Sequence, residues 1–240
     1  MRILQYMTLE GLLASYAAWQ ERWREPTLTA LLVLLSSEVF LNIPLARSHS
    51  YISAVMAVMW LLLIVVTTVI ATRKRVAMAG MFVSSIAALI ANVLRIDEPG
   101  TLTLCVAAAS AAVFMLLLSV VVWAAVYGPG PVTHHRVRGA IVIYLAIALA
   151  FAALYELLIT LLPGAISAVG SQDDYLVVGQ SLMYYSLSTL TSIGYGDLLP
   201  IHPLARSLST LESVIGQLFP AILIARVIAL ETCQRTTEPR

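Results

Sequence analysis

Long apolar stretches alternate with short polar segments along most of the chain. A helix that crosses a bilayer needs about 20 mostly apolar residues, and six stretches meet this requirement: 27–46, 51–72, 76–94, 101–127, 139–162 and 208–230. Glu156 interrupts the fifth stretch, and Glu212 and Arg226 interrupt the sixth. The pattern predicts an all-α membrane protein with six transmembrane helices.

The segment between the fifth and sixth stretches, residues 163–207, is too polar to form a further span. It contains an apolar, helix-like piece at 177–190. Non-helical backbone at membrane depth is tolerated only where it is buried in protein or lines a watery cavity. We therefore expect a re-entrant helix that ends near Leu190 and is followed by a loop lining a pore.

Residues 1–26 carry apolar side chains at helical spacing before the first span, namely Leu9, Leu12, Leu13, Tyr16, Trp19 and Trp23. This spacing favours a helix that lies in the membrane interface. A simple cytoplasmic extension of the first span is the alternative.

Composition supports the bilayer assignment and excludes several classes of function. The chain of 240 residues is 60% hydrophobic and 11% charged, whereas soluble proteins are about 25% charged. The net charge of +1 gives no basic surface for nucleic acid. Cys105 and Cys233 have no metal-binding spacing, and no catalytic motif occurs in a suitable context, so we expect neither an enzyme nor a bound cofactor.

The basic residues predict the orientation of the chain in a cell membrane. With both termini in the cytoplasm, the outer side holds only Arg47, Arg95 and Arg206 of the 14 basic residues. The inner side then holds Arg2, Arg22, Arg24, Arg73, Lys74, Arg75, Arg136, Arg138, Arg226, Arg235 and Arg240. This asymmetry also places the re-entrant loop on the outside.

The re-entrant loop contains the run T-S-I-G-Y-G-D, residues Thr191, Ser192, Ile193, Gly194, Tyr195, Gly196 and Asp197. An ion that sheds its water in a narrow pore needs a ring of replacement oxygens. Glycines at alternate positions allow backbone angles that other residues resist, so the backbone carbonyl groups can all face one side. The run predicts a carbonyl ladder for a dehydrated cation.

These residues resemble the pore module of potassium channels, whose filter reads T-V-G-Y-G. The resemblance covers 139–230 and implies that K⁺ binds the carbonyl groups of Ser192, Ile193, Gly194 and Tyr195, with the Ser192 hydroxyl completing the innermost site. Serine replaces the usual threonine there. The resemblance also implies a homotetramer surrounded by lipid, with K⁺ as the permeant ion.

The same resemblance assigns roles around the filter. Tyr184 and Tyr185 match an aromatic pair that braces it through Tyr195 and Asp197, and plain packing is the alternative. Further matched positions are Glu212, expected to hydrogen-bond the re-entrant helix through Ser186 or Ser188, and Gly216 with Pro220, expected to form a gating hinge. For the last two, a static kink in which glycine permits close packing is the alternative.

Helical spacing from the hinge places Gln217, Pro220, Ile224 and Ile228 on one pore-lining face, with the two isoleucines as an apolar gate. The end of the re-entrant helix is expected to aim unsatisfied carbonyl groups at the pore centre. The fourth span, 101–127, has no charged residue, which argues against a voltage sensor.

The predicted organisation is an interfacial helix at 1–26, a four-helix accessory domain at 27–127, a cytoplasmic linker at 128–138, a pore module at 139–230 and a short cytoplasmic tail at 231–240. Besides a potassium channel, two classes stay open. One is a cation transporter built on the same pore-loop unit. The other is a non-conducting membrane sensor or regulatory subunit.

Overall fold

The structure is a computed structural model that describes residues 27–40, 63, 66, 75–97, 100–126, 134–167 and 175–237. The predicted interfacial helix at 1–26 lies outside the described residues. So does most of the predicted second span, of which Leu63 and Val66 are described and are helical.

Six helices make up nearly all of the described chain. They are α1 (Thr27–Phe40), α2 (Arg75–Asp97), α3 (Thr101–Val126), α4 (His134–Leu161), α5 (Tyr175–Leu190) and α6 (Pro203–Thr237). Among the described residues there is no strand, and one isolated antiparallel bridge joins Ile166 to Pro200. The predicted all-α fold class is confirmed.

Three helices in the described part of the chain are long and apolar enough to cross a membrane, at Thr101–Ala124, Val137–Leu161 and Pro203–Arg226. They correspond to the fourth, fifth and sixth predicted spans. Two shorter apolar helical segments, Thr27–Phe40 and Ala79–Ala91, lie within the first and third.

Two helices extend beyond their predicted apolar stretches because their polar ends are also helical. Helix α4 begins at His134, within the predicted linker, and α6 runs on to Thr237. The start of α6 is set by Pro203, whose fixed φ angle suits the first helical position. The amide of Leu204 donates to Nδ1 of His202 at 3.2 Å, so His202 caps this end.

The larger apolar core joins the N-terminal helices to α4. Helix α3 packs against both α2 and α4. Its buried face includes Phe114 and Leu118, which pack with Leu31 and Leu35 of α1. Near the start of α4 a Cβ atom on Gly139 would lie only 2.2 Å from Val126, so this glycine permits α3 and α4 to approach closely.

A second core lies beside the first and supports α5. Helix α5 packs between α4 and α6. Its side chains Leu182 and Tyr185 pack with Phe151 and Tyr155 of α4 and with Ala205 of α6. Burial of these apolar surfaces fixes α5 relative to both neighbouring helices.

Candidate ion pathway

Helix α5 ends at Leu190, as the sequence predicts. The last four carbonyl groups of a helix lack partners within it, yet here all four accept hydrogen bonds from this chain. The donors are the Thr191 amide and hydroxyl for Leu187, the Ile193 and Gly194 amides for Ser188, the Ser192 amide and Ser213 hydroxyl for Thr189, and the Tyr144 hydroxyl for Leu190. The expectation of unsatisfied carbonyl groups is therefore wrong. The helix end favours a cation through its dipole instead.

The backbone after α5 has a positive φ angle at every second residue from Ser192 to Gly196. The φ angles of Ser192, Gly194 and Gly196 are 57°, 58° and 82°. Glycine adopts such angles readily, whereas Ser192 is strained, and it is the one non-glycine residue with a positive φ in the described part of the chain. Positive φ angles at alternate positions are what the spacing of the two glycines predicts for the 191–197 segment.

The chain that leaves this loop is tied to the segment that follows α4. The amide of Ser167 donates to the Leu199 carbonyl at 2.8 Å, and the amide of Leu199 donates to the Ser167 hydroxyl at 2.8 Å. The amide of Ile201 donates to the Ala165 carbonyl at 2.9 Å. Each end of the 191–197 segment is thus held by hydrogen bonds within the same chain.

The two adjacent tyrosines of α5 point to different neighbours. The ring of Tyr184 stacks on that of Tyr195 with centroids 5.7 Å apart and an interplanar angle of 12°, and its hydroxyl lies near the Asp197 carboxylate. Tyr185 is buried and packs edge-on against Tyr155 at 4.9 Å. The structure therefore brings Tyr184, but not Tyr185, against Tyr195 and Asp197.

The hydroxyl of Tyr185 belongs to a separate contact with α6. It lies 2.6 Å from Oγ of Ser209. Because Ser209 has one hydrogen and donates it to the Ala205 carbonyl at 2.8 Å, Tyr185 is the donor of this pair. This hydrogen bond joins α5 to α6 behind the loop.

Glu212 is fully buried where α4, α5 and α6 meet. The Tyr155 hydroxyl donates to its Oε2 at 2.6 Å, and Oγ of Ser186 lies 2.5 Å from its Oε1. Ser186 also lies 2.7 Å from the Ala148 carbonyl oxygen. The predicted contact with α5 runs through Ser186, since Ser188 bonds the Tyr185 carbonyl of its own helix instead. Glu212 thereby links three helices.

Gly216 lies directly against the end of α5. A Cβ atom at this position would lie 1.8 Å from the Leu190 carbonyl oxygen and 2.7 Å from its carbonyl carbon. Because these are backbone atoms, a side chain at Gly216 has no easy relief. The glycine permits α6 to touch the backbone of α5, which is the packing role weighed against the hinge. The hinge role of Gly216 and Pro220 remains a prediction.

The predicted pore-lining residues of α6 are all exposed on the single chain. Nε2 of Gln217 donates to Oγ of Ser192 at 2.8 Å. Ile224 and Ile228 are each 59% exposed, and Pro220 lies between them and Gln217 inside the helix. The partly buried Phe219 packs instead toward Tyr144, with ring centroids 5.8 Å apart. The exposed residues thus lie away from the packed side of α6.

Residues 139–232 match the family model described as Ion channel, and they contain α5, the 191–197 segment and the ends that hold it. This part of the chain is therefore similar to ion-channel domains. The match begins at Gly139, so α1, α2 and α3 lie outside it. No curated protein and no solved structure matched the chain.

Several residues of the part that matches the family model were missed by sequence reasoning. The Tyr155 hydroxyl donates to Glu212, and Ser209 accepts a hydrogen bond from Tyr185. The Tyr144 hydroxyl donates to the Leu190 carbonyl group at 3.2 Å. Tyr144 and Tyr155 occur in a predicted transmembrane stretch, where a buried hydroxyl needs a partner. That requirement was a usable signal. It does not identify the partner.

Proposed function

We propose that the chain is one subunit of a homotetrameric potassium-selective channel that conducts K⁺ passively across the cell membrane. The observation that carries the proposal is the backbone of Ser192, Gly194 and Gly196, with positive φ at alternate positions of T-S-I-G-Y-G-D, at the end of the re-entrant helix of an ion-channel domain. The carbonyl groups of Ser192, Ile193, Gly194 and Tyr195 then replace the water around K⁺.

The surroundings of the segment support a fixed ladder. The stacked rings of Tyr184 and Tyr195 hold its outer half against α5. Hydrogen bonds to the Ser188 and Thr189 carbonyl groups hold its inner half. A ladder held in this way keeps its oxygens apart when no ion is bound, which favours selection by distance.

The proposed tetramer follows from the number of filter strands that one chain contributes. One chain contributes one strand, and closing a ring of carbonyl groups around an ion requires four. Helix α6 supports this assembly because it leaves large apolar side chains exposed on the single chain, namely Leu211, Val214, Leu218 and Ile222, at 48–54%. Such a surface requires subunits or lipid to cover it.

Purified full-length protein in planar bilayers tests the proposal. The reversal potential in mixed K⁺ and Na⁺ solutions is expected to follow the K⁺ gradient. Gly194→Ala is expected to remove the current while the tetramer stays assembled, because a side chain restricts the positive φ that the ladder needs.

Gly164→Ala is the matched control for this experiment. Gly164 has a φ of 81° and open space around it, but it lies in the outer loop after α4. It therefore carries a similar backbone strain without touching the filter, and its current is expected to persist. A reversal potential that follows Na⁺ equally, or normal current in Gly194→Ala, contradicts the proposal. Absence of any current from assembled wild-type protein favours the non-conducting sensor.

A further inference from the structure

Gln217 contacts the innermost part of the filter segment. Its Nε2 donates a hydrogen bond of 2.8 Å to Oγ of Ser192. This hydroxyl is the side-chain oxygen that the proposed function assigns to the innermost K⁺ site. A residue that binds this oxygen therefore acts on the ion through Ser192.

Backbone contacts fix both partners of this pair. The amide of Ser192 donates to the Thr189 carbonyl at 3.0 Å, which places Ser192 at the end of α5. Gly216, the residue before Gln217, lies against the Leu190 carbonyl group. The Ser213 hydroxyl, one turn earlier on α6, reaches the Thr189 carbonyl oxygen at 3.3 Å. The distance between the two backbones is thus set by three contacts that do not involve the Gln217 side chain.

The serine at this position lacks an internal restraint on its hydroxyl group. A serine side chain has three staggered χ1 positions, and a threonine loses freedom because of its methyl group. The hydrogen bond from Gln217 selects one of the three positions for Ser192. A hydroxyl oxygen can accept two hydrogen bonds, so accepting one from Gln217 leaves a lone pair for a cation.

We propose that Gln217 is a positioning residue for the innermost cation site, whose amide holds the Ser192 hydroxyl in the rotamer that binds the permeant ion. The proposal rests on the proposed conduction of K⁺. Gln217 on α6 then supplies the restraint that the methyl group of threonine supplies in T-V-G-Y-G. The residue at position 217 of α6 and the residue at position 192 are therefore coupled in this chain.

Block by Ba²⁺ added from the cytoplasmic side measures how strongly the innermost site binds a cation. Ba²⁺ is close to K⁺ in size, and its double charge holds it in the site longer. Gln217→Met keeps the length of the side chain and removes the donor. It is expected to weaken block at least about threefold, as the hydroxyl spreads over three rotamers. Gln217→Asn, which keeps an amide one methylene shorter, is expected to behave like Gln217→Met.

Rescue separates positioning from a general structural effect. In the Ser192→Thr background the methyl group restores the restraint, so Gln217→Met is expected to leave block nearly unchanged. Thr210→Ala removes a hydroxyl from the same helix that bonds the Arg206 carbonyl group of its own helix instead of Ser192, and block of this variant is expected to match that of the wild type.

If Ba²⁺ blocks both Gln217 variants as strongly as it blocks the wild type, the inference is wrong. Equal weakening of block by Gln217→Met in the serine and threonine backgrounds also overturns it, since a merely structural role gives that result. Both outcomes leave selective K⁺ current intact in the wild type. If the wild type shows no selectivity for K⁺, the proposed function on which the inference rests is refuted instead.

Discussion

Replacing Gly216 by alanine tests whether this glycine is a packing residue, a hinge, or both. The new Cβ would lie 1.8 Å from the Leu190 carbonyl oxygen. An unstrained C···O contact is about 3.3 Å long, so the backbones of α5 and α6 must separate by roughly 1.5 Å at this point. The neighbouring hydrogen bond from Gln217 to Ser192, at 2.8 Å, does not survive such a shift.

The energetic effect of this substitution is that of overpacking. Extra methyl groups in a packed core destabilise by about 1–3 kcal/mol, and contact with rigid backbone favours the upper end of that range. We therefore expect Gly216→Ala to lower the melting temperature of the protein in detergent and to reduce its single-channel current. A pure hinge residue would instead change the open probability and leave the melting temperature unaltered.

Gly179→Ala provides the control for Gly216→Ala. Gly179 lies on α5, and a Cβ atom there meets nothing within 4 Å. Alanine in an open helical position is expected to be neutral or to stabilise by about 0.5–1 kcal/mol. If Gly216→Ala melts at the same temperature as Gly179→Ala and conducts normally, the close approach of α6 to Leu190 is not important for the domain.

Three further predictions concern other parts of the molecule. Tyr155→Phe removes the hydroxyl that donates to buried Glu212 at 2.6 Å, and it is expected to destabilise the protein by about 1–3 kcal/mol in thermal melting. Tyr144→Phe is the control, because it removes a 3.2 Å hydrogen bond from a half-buried site. An equal loss of stability in the two variants would contradict the prediction. Ile224→Asn is expected to raise the open probability in single-channel records, because a polar side chain keeps the proposed apolar gate wet. The conductance is expected to vary little over about 100 mV either side of zero, since each moved charge is worth about 2.3 kcal/mol per 100 mV and Thr101–Val126 contains no charged residue; a steep sigmoid would refute this.

The sequence predicts the helices of the part that matches the family model well, because apolar length and helix-ending signals are local. The end of α5 at Leu190 and the loop at 191–197 that follows it can be predicted from residues that are adjacent along the chain. The extensions of α4 and α6 were missed because polar residues at membrane edges remain helical without adding to the apolar count.

Contacts between helices were harder to predict, because they depend on how far one helix slides along another. The pattern offered Ser186 and Ser188 as equal partners for Glu212, and only the rotation of α5 decides for Ser186. The pairing of Gln217 with Ser192 likewise depends on the contact at Gly216, which places α6 at one height beside α5. Hydrophobic periodicity identifies a buried face, but it does not define this height.

The hydrogen bonds between Ser167 and Leu199 have a practical consequence for labelling the protein. They hold the chain at Ser167, and the next described residue, Tyr175, begins α5. Lengthening a loop adds only about 0.6 kcal/mol per doubling of its length. An epitope or a fluorophore inserted between Ser167 and Tyr175 is therefore attached between two anchored points, and we expect it to leave residues 191–197 in place.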